Sequence, residues 1–388
     1  MYKKKIKILR IISTLNPKYG GPSKAIIDSS IVLAQKGFHV DILTCDRKNE
    51  VFFKSKKIKI INKGPSYFGT YWFNPKLFFW LKKNKDKYSS FIIHGIWQFK
   101  TLLARLLIKK KYYVFLHGQL DPFFETNFFK LIKKKLYWFL FEKKNLIDAK
   151  SILLTSKGEM QTLNKTFVDT NNIKKKIVKY GIIEPKFKKK ELKTKFYRKF
   201  KKLKNKDFFL YLGRFHEKKG CEIIIEAVKK LGKDFSDLIL MIGPLENSAY
   251  ERKIINLINE YSLDKKIIVS NGIFNDLKWA AIHESKAMLL PSHGENFGVS
   301  LVESMCYGKP VLTTNKVNIS NEILRYKAGY ISKNNIDSFV RIIKNFNGLN
   351  KLKLNRMSKC ARNCFNENFN LSSNKNSLYN LLKKEICD

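Results

Sequence analysis

Short apolar runs alternate with amphipathic stretches along the whole 388-residue chain. In the first half, 6–12, 40–44, 91–94, 114–117 and 151–155 are apolar runs of strand length, and 208–212, 238–242, 267–270, 288–290 and 311–314 form a second series. Runs this uniform, separated by stretches with helical spacing, predict parallel strands buried on both faces, the sequence form of an α/β architecture. Between the two series, 186–206 is rich in Lys and poor in core-forming residues, which puts a domain boundary at about 185. From Met357 onward the spacing of Cys360, Cys364, Phe369, Leu371, Leu378, Leu381 and Leu382 predicts one or two closing helices. The expectation is two Rossmann-like domains, 1–185 and 186–365, with 366–388 as a C-terminal helix packing back toward the N-terminal domain.

In a doubly wound domain ligands bind outside the carboxyl ends of the strands, so the residues just after each run carry the chemistry. After the first run comes Tyr19-Gly20-Gly21-Pro22-Ser23. Paired glycines let the backbone approach a ligand, and Pro22 suits the first turn of a helix whose free N–H groups attract phosphate. A plain tight turn accounts for the same residues equally well. His94 and His117 each end an apolar run and each precede a glycine; a lone histidine is more often a satisfied core or capping residue, but two at equivalent strand ends in a chain with six histidines favour a site. In the second half, Gly213-Arg214-Phe215-His216-Glu217-Lys218-Lys219-Gly220 follows the run 208–212. Arg214 offers a planar fork for phosphate oxygens and Lys219 a mobile point charge, while His216 reads as a solvated loop residue.

The most specific stretch is 291–310. The run 288–290 enters a loop holding Glu295, Gly298 frees the backbone, and a short helix from about Val299 is stopped by Gly308 and Pro310. On that helix Ser300, Glu303, Ser304 and Tyr307 share one face and Leu301, Val302, Met305 and Cys306 the buried one, so Glu303 is expected to face a cleft together with Glu295. Two carboxylates eight positions apart can accept hydrogen bonds from two hydroxyl-bearing parts of one ligand. Backbone N–H groups at Phe297, Gly298, Val299 and Ser300 would meet an anion between them. A ligand with sugar hydroxyls at both ends and phosphates in the middle fits.

Composition narrows the classes. With 44% hydrophobic residues, 13% aromatics and 9 prolines, the chain lies far from the profile that keeps a polypeptide disordered. Lys plus Arg at 77 against Asp plus Glu at 32 gives a formal charge of +45, a field that favours phosphates, nucleic acid or anionic lipid, although the basic residues are spread in short runs as compositional bias would also leave them. Six cysteines do not make a disulfide scaffold, and the close pair Cys360 and Cys364 lacks the second pair of a structural zinc site, which fits a reducing cytoplasm. The N-terminal apolar run is too short and too charged for a signal-peptide core, and no run approaches the roughly 20 residues needed to span a bilayer.

Taken in order along the chain, these motifs resemble glycosyltransferase family 4, the retaining nucleotide-sugar transferases of GT-B fold among the group 1 glycosyltransferases. The resemblance rests on Gly20-Gly21-Pro22, His117-Gly118, Thr155-Ser156 with Glu159, the 213–220 loop, Glu295 and Glu303 with seven residues between, and Gly308-Lys309-Pro310. It implies two Rossmann-like domains with a deep interdomain cleft, the first binding the acceptor and the second the nucleotide-sugar, and a C-terminal helix closing the structure. Arg214 and Lys219 would bind the donor diphosphate, Glu303 the ribose, Glu295 the sugar hydroxyls, and His117 would lie beside the reacting carbon. Gly20 and Gly21 would close over the phosphates, with Phe297, Gly298 and Val299 presenting N–H groups. It further implies a hexosyltransferase-type, metal-independent enzyme without a cofactor beyond its donor substrate, acting in surface polysaccharide or lipopolysaccharide biosynthesis. Tyr180-Gly181 and Ile319-Ser320-Asn321-Glu322 depart from the family's Asn-Gly and Gly-x-Pro-Glu patterns, and the second leaves the donor less defined than the reaction.

In the first domain Phe123-Phe124 and the stretch 128–141 interleave aromatics with lysines. Such a stretch can lie in the interfacial region of an anionic membrane or pack as an amphipathic helix on its own sheet. The expected partners are a nucleotide-sugar donor, a saccharide or lipid-linked saccharide acceptor, and an anionic membrane surface on the cytoplasmic side. A nucleic-acid-binding protein is the rival that the charge suggests, but it leaves the acidic pair unexplained; a sugar-nucleotide epimerase or hydrolase of similar fold is the nearer one.

Overall fold

The computed structural model describes residues 6–19, 22–120, 128–166, 170–185, 189–273, 275–373 and 378–387. Gly20, Gly21, Phe123 and Phe124 lie outside the described residues. The chain divides into two compact units, 1–183 with 374–388, and 184–373.

The first unit is built on seven strands: β1 (Lys7–Ile11), β2 (His39–Thr44), β3 (Lys59–Asn62), β4 (Ser90–His94), β5 (Tyr112–Phe115), β6 (Ser151–Leu154) and β7 (Lys175–Ile177). They form one parallel sheet in the order β3-β2-β1-β4-β5-β6-β7. Side chains alternate across a strand, so each central strand feeds two cores. Leu9, Ile11, Phe91 and Ile93 join the cluster on one face, while Ile8, Ile12 and Ile92 join the other. The run expected at 114–117 begins and ends earlier, at Tyr112–Phe115, and His117 sits in the turn beyond it at φ 52°.

The second unit has six strands: β8 (Phe208–Leu212), β9 (Leu238–Ile242), β10 (Ile267–Ser270), β11 (Ala287–Leu290), β12 (Val311–Thr314) and β13 (Gly329–Ser332). Their order, β10-β9-β8-β11-β12-β13, is that of a Rossmann domain, with the chain reversing direction across the sheet between β8 and β11. All of β9 and β11 is buried, as both faces are covered by helices.

The C-terminal region divides differently from the expectation. Residues 366–373 stay with the second unit, where the helix Lys351–Asn368 ends and Phe369 packs edge-on against Phe297. The last helix, Leu378–Cys387, belongs to the first unit: Leu378 and Leu382 lie in the same core cluster as Phe38 and Val40, and Tyr379 meets Phe38 edge-on. Because Leu382 is fully buried there, Leu382→Ala should cost the first unit about 2–5 kcal/mol. Urea unfolding followed at a first-unit probe measures this, and an unchanged midpoint would remove the helix from that core.

Candidate functional site

In the second unit the two loops singled out from the sequence follow β8 and β11, the adjacent strands at which the sheet order reverses. They are fastened backbone to backbone. Lys218 O accepts both the His293 N–H at 2.9 Å and the Ser292 hydroxyl at 2.7 Å. Gly220, at φ 64°, is so close that a Cβ would stand 2.2 Å from Pro291 O, and a Cβ on Gly243 would stand 2.1 Å from Gly213 O. Only glycine allows these approaches.

On this frame Lys219 pairs with Glu295, each side chain about one-fifth exposed. Burial pushes the Glu295 carboxyl up, but the charge and hydrogen bond of Lys219, with Lys218 and the Gly298 N–H, hold it below its ordinary value. Gly298, at φ 67°, starts the helix Val299–Cys306. The backbone of Glu295 bridges in parallel to Val317: its N–H reaches Lys316 O at 3.0 Å and its carbonyl takes the Asn318 N–H at 2.9 Å. The departing segment 319–322 thus begins directly after residues that fix Glu295. His293 lies 2.6 Å from Glu222 and 3.0 Å from Asn334, and the hydrogen bond with Glu222 holds its imidazole above the usual histidine range.

Arg214 is exposed at the end of β8, and its guanidinium has no hydrogen-bond partner among the described residues. His216 is exposed as expected, its Nδ1 accepting the Lys218 N–H at 3.1 Å. Glu303 differs from the expected cleft-facing helix position. The short helix is buried on both faces, with Glu303 4% exposed and Ser304 fully enclosed between neighbouring elements. Glu303 Oε1 is paired with Lys278, which also lies over the Trp279 ring, and Oε2 takes no hydrogen bond from a described residue. Phe297 is buried, and Val299 opens the helix.

In the first unit the two histidines meet. His94 Nδ1 and His117 Nε2 are 3.0 Å apart, across rings stacked at 5.3 Å. The two strand-end turns are tied by the Gly95 N–H to Phe115 O at 2.8 Å. Glu159 holds the His117 turn in place: one oxygen accepts the Gly118 N–H at 2.8 Å and the other the Thr155 N–H and hydroxyl at 2.6 and 2.8 Å, while Ser156 Oγ accepts the Glu159 N–H. This is a capping arrangement turned to hold a neighbouring loop.

Residues 193–363 match the family model described as glycosyl transferases group 1. That segment is a group 1 glycosyltransferase domain. It contains Arg214, Lys219, Glu295 and Glu303. D-rhamnosyltransferase WbpZ of Pseudomonas aeruginosa is 32% identical over 124 residues, 30% of this chain and 30% of that protein. The putative colanic acid biosynthesis glycosyltransferase WcaL of Escherichia coli is 28% identical over 182 residues, 44% of each. The chain therefore spans less than half the length of these curated relatives. The sucrose-phosphate synthase of Thermosynechococcus elongatus superposes with a TM-score of 0.77 at 18% identity, over 98% of this chain and 100% of that one, which establishes the GT-B fold.

Two polar partners of the group 1 domain carried no signal in the sequence. Lys278 is one of 77 basic residues, and Glu222 is an ordinary acidic residue in a helical first turn. In the first unit, Arg10 was visible as a charge inside an otherwise apolar run. Removing Lys219 as Lys219→Met leaves the Glu295 carboxylate half of the pair uncompensated and should cost the group 1 domain about 1–3 kcal/mol at neutral pH. The sign with pH follows from the depressed Glu295 value. The contribution is present above the unfolded value near 4.5 and is lost as pH falls through the lower folded value, so the deficit of the variant should shrink on acidification. Paired denaturation curves from pH 7 to pH 3 test this; a deficit independent of pH would contradict it.

Proposed function

We propose that the protein is a retaining, hexosyl-type glycosyltransferase. It moves a sugar from a nucleotide-diphosphate donor to an acceptor hydroxyl in the assembly of a surface polysaccharide or lipopolysaccharide. The observation that carries this reading is the Lys219–Glu295 pair, fastened beside the exposed Arg214 at the strand ends where the second sheet reverses. When the bond from sugar to diphosphate breaks, negative charge grows on the leaving group, and in this reading Arg214 and Lys219 would neutralise it without a divalent cation. Glu295 would then exchange its lysine contact for sugar hydroxyls, and Glu303 would offer Oε2 to the ribose while Lys278 keeps Oε1. The acceptor hydroxyl attacks from the face the diphosphate leaves. No side chain is assigned as nucleophile. The WcaL relative, named for colanic acid biosynthesis, supports the biosynthetic setting.

The acceptor belongs to the first unit in this reading. A pocket of about 360 Å³, bounded by Leu15, Asp46, Phe52, Phe53, Ile58 and Asn62, opens beside the carboxyl ends of β1, β2 and β3 and mixes apolar with polar walls. The stretch expected to face either a membrane or its own sheet has one side buried and the other exposed. Trp138, Glu142 and Leu146 are buried, whereas Ile132, Leu136, Phe139 and Leu140 are exposed among Lys133, Lys135, Lys143 and Lys144. Among the described residues no helix is long and apolar enough to cross a membrane. An exposed apolar face ringed by lysines suits peripheral contact with an anionic bilayer, where a lipid-linked acceptor would be found.

Thermal-shift measurements with UDP, GDP, ADP and their sugars should reveal one stabilising nucleotide, since a ligand bound only by the folded state raises its stability. With that donor, Arg214→Ala should lower kcat by about 100- to 1,000-fold. Donor consumption without a glycosylated product would favour the epimerase or hydrolase reading instead. The protein should float with vesicles containing anionic lipid at moderate salt, and the double substitution Phe139→Glu with Leu140→Glu should abolish flotation; equal partition onto neutral vesicles would argue against the membrane face.

A further inference from the structure

Arg10 sits in β1 between Leu9 and Ile11 and is 1% exposed. No carboxylate pairs with it among the described residues. Its guanidinium instead donates to four uncharged acceptors: Ile26 O at 3.1 Å, Ser29 Oγ at 2.7 Å, Ser30 Oγ at 2.9 Å and, through Nε, His94 Nε2 at 3.1 Å. Burial lowers its pKa to about 9, so it remains charged at neutral pH. A strand position that the pattern reserves for an apolar side chain is thus occupied by a cation directed at the histidine pair.

The proton positions then follow link by link. A guanidinium has donors and no acceptor, so His94 Nε2 must be bare to receive Arg10 Nε–H. The single proton of His94 is therefore on Nδ1, the atom 3.0 Å from His117 Nε2. His117 Nε2 must in turn be bare, and neutral His117 carries its proton on Nδ1. We propose that Arg10 and His94 are positioning residues that lock His117 as the neutral imidazole protonated at Nδ1, making it a hydrogen-bond donor to a ligand oxygen and never a proton acceptor. That the ligand oxygen belongs to the donor sugar rests on the glycosyltransferase reading above; the proton position does not.

The surroundings of the pair act in the same direction. Burial, then the charge of Arg10 from β1 and that of Lys100 from the helix Phe99–Leu103, push His117 down to about 3, and His94 is driven well below the usual histidine range by burial, Arg10, His117 and Lys100. Tyr180 faces the His117 ring edge-on at 5.9 Å, and burial raises its phenol so that it stays neutral. The acidic Glu159 touches the turn through the Gly118 N–H. Asp28, on the first helix, bears on Tyr180 and is paired with Lys24. The backbone is left-handed at both His117 and Gly118, with φ 52° and 72°.

The test is two-bond ¹H–¹⁵N correlation spectroscopy of the full chain labelled at histidine nitrogens, with His94→Gln and His117→Gln supplying assignments. The expected spectrum shows His117 with a protonated Nδ1 and an unprotonated Nε2, unchanged from pH 8 down to about pH 4.5, where an unperturbed histidine would already be an imidazolium. A proton on Nε2, or titration of His117 above about pH 5.5, overturns the proposal. In Arg10→Met and in His94→Phe, which keeps a stacking ring but removes the donor, His117 should become a mixture of tautomers; an unchanged His117 pattern in either would overturn the positioning role. All of these readings are made without substrate. Absence of any nucleotide response in the thermal-shift panel would sink the transferase reading and leave this one standing.

Discussion

Both sheets are covered on both faces, and that constraint governs where chemistry can occur in this chain. A parallel strand whose two faces are packed has little room for polar side chains along its length, so most hydrogen-bonding groups gather where the strand stops, with Arg10 in β1 and Asp41 in β2 as buried exceptions. His94 closes β4, His117 follows β5, Arg214 and Lys219 follow β8, and Glu295 follows β11. Gly220 lets the loop after β8 touch Pro291, at the start of the loop after β11, through the main chain, and this contact brings the segments that carry Lys219 and Glu295 together.

Buried charge is compensated differently at the two sites. In the second unit Glu295 is paired with Lys219 and Glu303 with Lys278. In the proposed reading, a lysine contact would be traded for a phosphate and a carboxylate contact for a hydroxyl without leaving a bare charge behind. In the first unit Arg10 has only neutral acceptors, and its charge is spread over a carbonyl, two hydroxyls and an imidazole. A fully satisfied network of that kind rigidifies the core around it.

The formal charge of +45 also takes on a shape in three dimensions. Most lysines are exposed and spread, as composition alone would leave them. Around the exposed Phe139 and Leu140, however, lysines border an apolar surface while the opposite side of the same helical stretch buries Trp138 and Leu146. One amphipathic segment is thus buried on one side and still offers an apolar face outward.

Alternation of apolar runs and helical spacing was enough to locate ten of the strands, four of them to the residue, because two-sided burial leaves an uninterrupted apolar signature. The three that escaped, β3, β7 and β13, are all sheet edges. Edge strands such as Lys175-Lys176-Ile177 are half exposed, and their composition resembles a loop. The loops after β8 and β11 were legible too, since glycines flanking basic or acidic residues at strand ends are demanded by close backbone approach. What local pattern could not contain was the partner of each charge. Helical periodicity put Glu303 on an outward face, whereas packing from neighbouring elements enclosed both faces and set Lys278 beside it. Likewise Arg10 and His94, 84 positions apart, and His94 and His117, 23 apart, become one hydrogen-bonded chain only when β1, β4 and β5 lie side by side. The sequence by itself determined ten of the thirteen strands, their two-unit grouping and the strand ends where polar groups collect, because those follow from local hydrophobicity and backbone sterics. Which charge meets which, and which nitrogen holds a proton, depended on distances between strands remote in sequence, and only the tertiary structure decided them.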